Sequence, residues 1–149
     1  MCDRSVPPPV GPVLPPQGPL HQLRTCFRGS GKVELVTWTA EKAGDWARFL
    51  DGADAVVHLA GAGIFDGAWT PDRREILRSS RIRSTELLAA AIARAESKPR
   101  VFVSGSAVGY YGTSAGDQIL EERAPPGDDF LARLCVEWEK EVPAAWRPI

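Results

Sequence analysis

In the stretch VFVSGSAVGYYG, Val101 to Gly112, three apolar residues give way at once to hydroxyls, glycines and phenols. Val101, Phe102 and Val103 favour β structure and predict a buried strand. Ser104, Ser106, Tyr110 and Tyr111 then fall just past its end. In open α/β sheets the crevice beyond the strands' carboxyl ends is where ligands bind. Hydroxyls and phenols there can hydrogen-bond a ligand oxygen or help move a proton. A hydrolase reading fails on spacing: a nucleophile elbow needs G-x-S-x-G, whereas Gly105 directly precedes Ser106. His58 lies in a second apolar run, AVVHLAG, with no Cys, Asp or Glu at metal-ligand spacing. It reads as a packed strand residue.

The elements that must position these residues alternate in type from Lys32 onward. KVELVTW predicts a strand, and AEKAGDWARFL a short amphipathic helix with Trp46, Phe49 and Leu50 on one side. DGAD is a turn before the buried strand of AVVHLAG. Thr70 is placed to cap a long helix, with Pro71 at its first position. Ile76, Ile82, Leu87, Leu88 and Ile92 predict its buried stripe, and Arg73, Arg74 and Arg78 a solvated face. After VFVSGS, a last helix over DDFLARLCVEWEKE starts from Asp128 or Asp129. Trp38, Trp69 and Trp138 read as core or loop anchors, and Glu121 and Glu122 as solvated loop charges. Strands alternating with helices predict βαβ units and a parallel sheet, the α/β class.

Composition narrows the functional classes. The 149 residues suit one domain, and a net charge of -1 without a basic stripe argues against a nucleic-acid partner. No apolar run approaches a membrane span. Cys2, Cys26 and Cys135 form neither a disulfide framework nor a zinc pattern, which fits a reducing cytoplasm. Residues 1–30, with PPPVGPVLPPQGP, predict a disordered or polyproline-like arm ahead of a domain at 31–149.

ADAVVHLAGAGI, a tryptophan, RIRSTELLAAAI, VFVSGSAVGYYG and DDFLARLCVEWE occur in that order. Together they resemble the nucleoside-diphosphate-sugar epimerases within the atypical and extended short-chain dehydrogenases/reductases, over roughly Val33 to Glu141. The resemblance implies a Rossmann-like parallel sheet with helices on both faces, binding NADP or NAD. It also implies hydride transfer on a small-molecule substrate, a sugar nucleotide or a related carbonyl or alcohol. Within it, Leu59, Ala60 and Gly61 match the backbone that passes the adenosine and ribose, and small residues allow that approach. Arg81 matches a position facing the cofactor, and Ser104 lies at the strand's end. Ser106 matches the serine that hydrogen-bonds the reacting oxygen.

The same resemblance exposes departures. The family's first Gly-rich βαβ segment, G-x-x-G-x-x-G, has no counterpart before Lys32. The C-terminal substrate-binding part is lacking too, so the expectation is an incomplete middle portion. In Y-x-x-x-K a lysine lowers a tyrosine's pKa for proton exchange, but Phe130 and Leu134 stand at those positions. Tyr111, or Tyr110, could supply the phenol; packing in the loop is the alternative. The rival function is a non-catalytic dinucleotide-binding or regulatory module, or an inactive fragment. The sequence does not speak to oligomeric state.

Overall fold

The computed structural model describes residues 34, 36–40, 42–113 and 116–146. The expected N-terminal arm, with Cys2 and Cys26, lies outside them.

Two strands and two helices carry the architecture. β1, Ala55–His58, runs parallel to β2, Val101–Ser104, in the register Ala55↔Val101 through His58↔Ser104. Parallel neighbours need a long crossover. Here it is α1, Pro71–Arg94. α2, Phe130–Glu141, follows β2 after a long loop and continues into a 3₁₀ segment, Val142–Trp146. A further 3₁₀ helix, Asp45–Leu50, precedes β1.

Both α-helix starts follow the predicted cap chemistry. Thr70 Oγ1 accepts from the Arg73 amide at 3.2 Å, with Pro71 in the first turn. Asp129, not Asp128, caps α2 by accepting from the Ala132 amide at 2.9 Å. Past the end of α1, the Ser97 amide donates to Asp51 Oδ1 at 2.7 Å and the Gly52 amide to the Ser97 carbonyl at 2.8 Å. These bonds tie the exit of the crossover to the turn that feeds β1.

The core lies between one face of the strand pair and α1. Val56 and Phe102 point inward and join Leu88, Ala89, Ile92, Trp46 and Leu50 in one apolar cluster. The opposite face is open among the described residues, with Val57 61% and Val103 46% exposed. The expected parallel α/β arrangement is present: among the described residues α1 covers one face, and period-two alternation sends Val57, Val101 and Val103 to the other.

Three local expectations differ from the structure. None of the described residues of KVELVTW forms a strand; Trp38 instead packs edge-on against Trp46 and His58 at 5.8 and 5.9 Å. A β-favouring composition makes a strand only where a neighbouring edge accepts its ladder. The segment before β1 is a six-residue 3₁₀ helix, because so short a run does not offset α-helix nucleation. The buried stripe of α1 is also rotated. Leu77, Ser84, Thr85, Leu88 and Ile92 are buried, whereas Ile76 is 48% exposed and Ile82 and Leu87 are half-buried. Small hydroxyl residues face inward because their hydroxyls bond back to carbonyls one turn earlier, Ser84 to Ser80 at 2.7 Å and Thr85 to Arg81 at 2.8 Å.

The rotated stripe makes a testable contrast. Ile92→Ala should cost about 2–5 kcal/mol in urea unfolding, as for a fully buried aliphatic residue. Ile76→Ala should stay within about 0.5 kcal/mol. Equal losses would return the buried stripe to Ile76.

Candidate functional site

Because β1 and β2 are parallel and in register, their carboxyl ends deliver two short segments side by side. Leu59, Ala60 and Gly61 leave β1, and Gly105 and Ser106 follow Ser104 at the end of β2. The Gly105 amide donates to the His58 carbonyl at 2.9 Å, extending the pairing by one residue. Leu59 is 74% exposed, Gly61 is exposed, and Ala60 packs against the core.

A polar seam on α1 holds both segments. Ser80 Oγ accepts from the Ala62 amide at 3.0 Å. Arg81 donates from its two terminal nitrogens to the Leu77 and Ala62 carbonyls, each at 3.1 Å. Its guanidinium lies 5.5 Å from the Trp138 ring centre. Trp138 in turn donates its indole N–H to Thr85 Oγ1 at 2.8 Å. Gly105 sits against the same indole, where a Cβ would stand 3.2 Å from the ring. Arg81 is therefore turned into the loop after β1, and a Cβ on Gly61 would meet it at 3.1 Å.

His58 is buried and pairs through Nε2 with Ser84 Oγ at 3.0 Å. Burial pushes its pKa down to about 4, because the charged imidazolium would be desolvated. The packed-strand expectation for His58 stands, and among the described residues no cluster could hold a metal ion.

Ser106 is exposed, and its hydroxyl donates to Glu139 Oε1 on α2. Ser104 is half-buried, with its Oγ 3.4 Å from the Gly105 carbonyl. Both serines, Gly105 and Glu139 line an open cleft of about 710 Å³, together with Pro143 and Trp146.

Tyr111 belongs to a 3₁₀ turn, Val108–Tyr111, and its ring meets Tyr110 edge-on at 5.3 Å. Gly127 donates to the Tyr110 carbonyl at 2.9 Å and passes so close to Tyr111 that a Cβ would stand 2.7 Å from its carbonyl oxygen. Phe130 packs against Trp69 at 5.7 Å and beneath Arg74 at 5.5 Å, while Leu134 is buried. The positions of the usual tyrosine and lysine are thus spent on apolar packing. Burial also pushes the Cys135 thiol pKa up.

All three arginines expected on a solvated face have protein partners that the pattern did not reveal, Arg74 through the Phe130 ring. Arg73 donates to the Gly63 carbonyl and lies 3.5 Å from Asp66, and Arg78 pairs with Glu137 at 2.8 Å. Sequence reasoning also missed Glu139, Ser80 and Thr85. Hydroxyls at 80, 84 and 85, the first one helical turn before the other two, were the available signal for the seam. Nothing in the sequence marked Glu139.

Parallel strands joined by a crossover helix define an α/β fold, in which the crevice beyond the strands' carboxyl ends is the usual ligand site. The chain belongs to the NAD dependent epimerase/dehydratase family, whose profile matches residues 18–136. It is 37% identical over 128 residues to the chloroplastic SDR39U1 homolog, an epimerase family protein of Arabidopsis thaliana, covering 80% of this chain and 36% of that one. It is 37% identical to the epimerase family protein YfhF of Bacillus subtilis, covering 87% of this chain and 43% of that one. Among solved structures, human SDR39U1 with NADPH is similar at TM-score 0.62 and 29% identity, covering 74% of this chain and 40% of that one. A nucleoside-diphosphate sugar epimerase of Corynebacterium glutamicum is similar at TM-score 0.61 and 34% identity, covering 76% of this chain and 25% of that one. The chain thus spans well under half the length of these relatives. Among the described residues, no helix is long and apolar enough to cross a membrane.

Neutral burial of His58 gives stability a pH dependence. Its contribution is complete above pH 6.5 and is lost as pH falls towards about 4, since the unfolded chain takes up the proton first. The full difference is worth about 3 kcal/mol. Urea unfolding at pH 7.5 and pH 4.5 should show a larger acid loss for wild type than for His58→Gln. Equal losses would contradict a neutral buried imidazole.

Proposed function

We propose that residues 31–149 contribute the cofactor-binding part of an NAD(P)-dependent epimerase- or reductase-like protein. Its substrate would be a small molecule, a sugar nucleotide or a related carbonyl or alcohol. The observation that carries this reading is the pair of adjacent segments, Leu59–Gly61 and Ser104–Ser106, at the carboxyl ends of parallel strands.

The residues present fit a dinucleotide there. Ala60, Gly61, Ala62 and Gly63 leave the end of β1 without bulky side chains. Leu59, Ala60 and Gly61 would lie along the adenosine and ribose, with Ser104 beside them. Arg81 would act by holding the Ala62 carbonyl, which fixes the loop that the cofactor meets. When bound, NADP or NAD would accept or return hydride at the substrate carbon. Ser106 would hydrogen-bond the oxygen on that carbon, with Tyr111, five residues further on, as the candidate phenol. The free thiol of Cys135 accords with a reducing compartment such as the cytoplasm.

A second reading, a dinucleotide-binding module without catalysis, is favoured by Phe130 and Leu134. General acid–base assistance contributes about 10²–10⁴-fold, and neither side chain can supply it.

Amide NMR shifts on titration with NADPH test the binding site. Leu59, Ala60, Gly61 and Ser104 should move with a common saturation curve, while Trp46 and Phe49 stay in place. Shifts confined to the cleft around Trp38 and Trp46, or no shifts, would contradict the proposal.

A further inference from the structure

We propose that Ser106 and Glu139 form a proton relay to the reacting oxygen of the substrate. This rests on the hydride-transfer reading above. Ser106 donates its hydroxyl hydrogen to Glu139 Oε1, and both side chains line the open cleft at the carboxyl end of β2. Both residues are exposed, so neither needs the other to satisfy a buried group. Burial therefore does not account for the pairing.

The relay supplies what Phe130 and Leu134 cannot. With its own hydrogen committed to Glu139, Ser106 Oγ presents lone pairs to an incoming hydroxyl. It therefore accepts from an alcohol substrate. In the oxidising direction the substrate C–H electron pair leaves as hydride to an oxidised nicotinamide dinucleotide, and a C=O bond forms. The substrate O–H bond breaks and its proton joins Ser106 Oγ, while the hydrogen already on Ser106 passes to the Glu139 carboxylate. Ser106 ends as it began, and Glu139 holds the proton. Reduction runs the same transfers backwards, and return of hydride to the opposite face of the carbonyl would invert the carbon.

On α2, the Cys135 thiol stands one turn before Glu139, and Lys140 follows it in sequence. Glu139 helps to raise the Cys135 pKa after burial, and Arg81 of α1 opposes that rise. Neither β2 nor the 3₁₀ segment Val142–Trp146 carries a titratable side chain.

The test uses the whole chain with two readouts. Without cofactor, the ¹³C signal of the Glu139 carboxyl should move on Ser106→Ala at fixed pH; an unmoved signal would overturn the pairing. With NADPH and 9,10-phenanthrenequinone as probe, Glu139→Gln should lower the rate of NADPH consumption about 10²–10⁴-fold, while Glu139→Asp, which keeps a carboxylate, should retain most of it. An unchanged rate in Glu139→Gln would overturn the relay. So would an equal loss in Glu139→Asp, or NADPH bound at Ser104 without consumption. Absence of NADPH shifts at Leu59–Gly61 and Ser104 would remove the cofactor reading, and the relay with it.

Discussion

The inward hydroxyl and guanidinium groups of α1 fix everything near the candidate site. Ser80, Arg81, Ser84 and Thr85 face the strand ends where an ordinary amphipathic helix would carry aliphatic side chains. Burying such groups is tolerable only if each finds a partner, and an orphaned one costs about 1–3 kcal/mol. Here each partner is a different element: the loop after β1, the His58 imidazole and the Trp138 indole. Satisfying the helix and positioning the loops are therefore one requirement.

That requirement also explains the small residues at the strand ends. Gly105 must lie flat against Trp138, and Gly61 against Arg81, so that both polar bridges close. The result is a sparse rim of backbone beyond β1 and β2, suited to close approach by a flat ligand. The start of α2 is packed differently. Phe130 is held between Trp69 and Arg74, and Leu134 is buried, so the proton chemistry expected there has no group to perform it. Further along the same helix, Glu139 reaches back to Ser106. The loop after β1 and the Ser106–Glu139 pair thus flank the end of β2.

Much of the fold was legible because it is written in local chemistry. Thr70 before Pro71, Asp129 before Phe130, and the compact runs of β1 and β2 each name their own structure. The rotation of α1 was not legible, since Ile76 outranks Ser84 on any hydrophobic pattern while the hydroxyls' partners lie far away in sequence. The region around Trp38 failed for a related reason, because a strand is decided by its neighbour. The positions of Ser104 and Ser106 at the end of β2 and of Leu59–Gly61 after β1 were legible because both strands were. Arg81 was found as a position, but its inward turn depends on a carbonyl 19 residues away. The Ser106–Glu139 contact spans 33 residues and left no pattern in either segment.

The central claim is that the α1 seam couples the loop after β1 to the loop after β2. Amide hydrogen exchange of Arg81→Met tests it most directly, because methionine keeps much of the stem and removes both donated bonds. Exchange should quicken at Ala62 and also at Gly105, through the loosened Trp138, while Val56 and Ile92 keep their protection. Faster exchange at Ala62 alone, or uniform loss across the chain, would contradict the coupling.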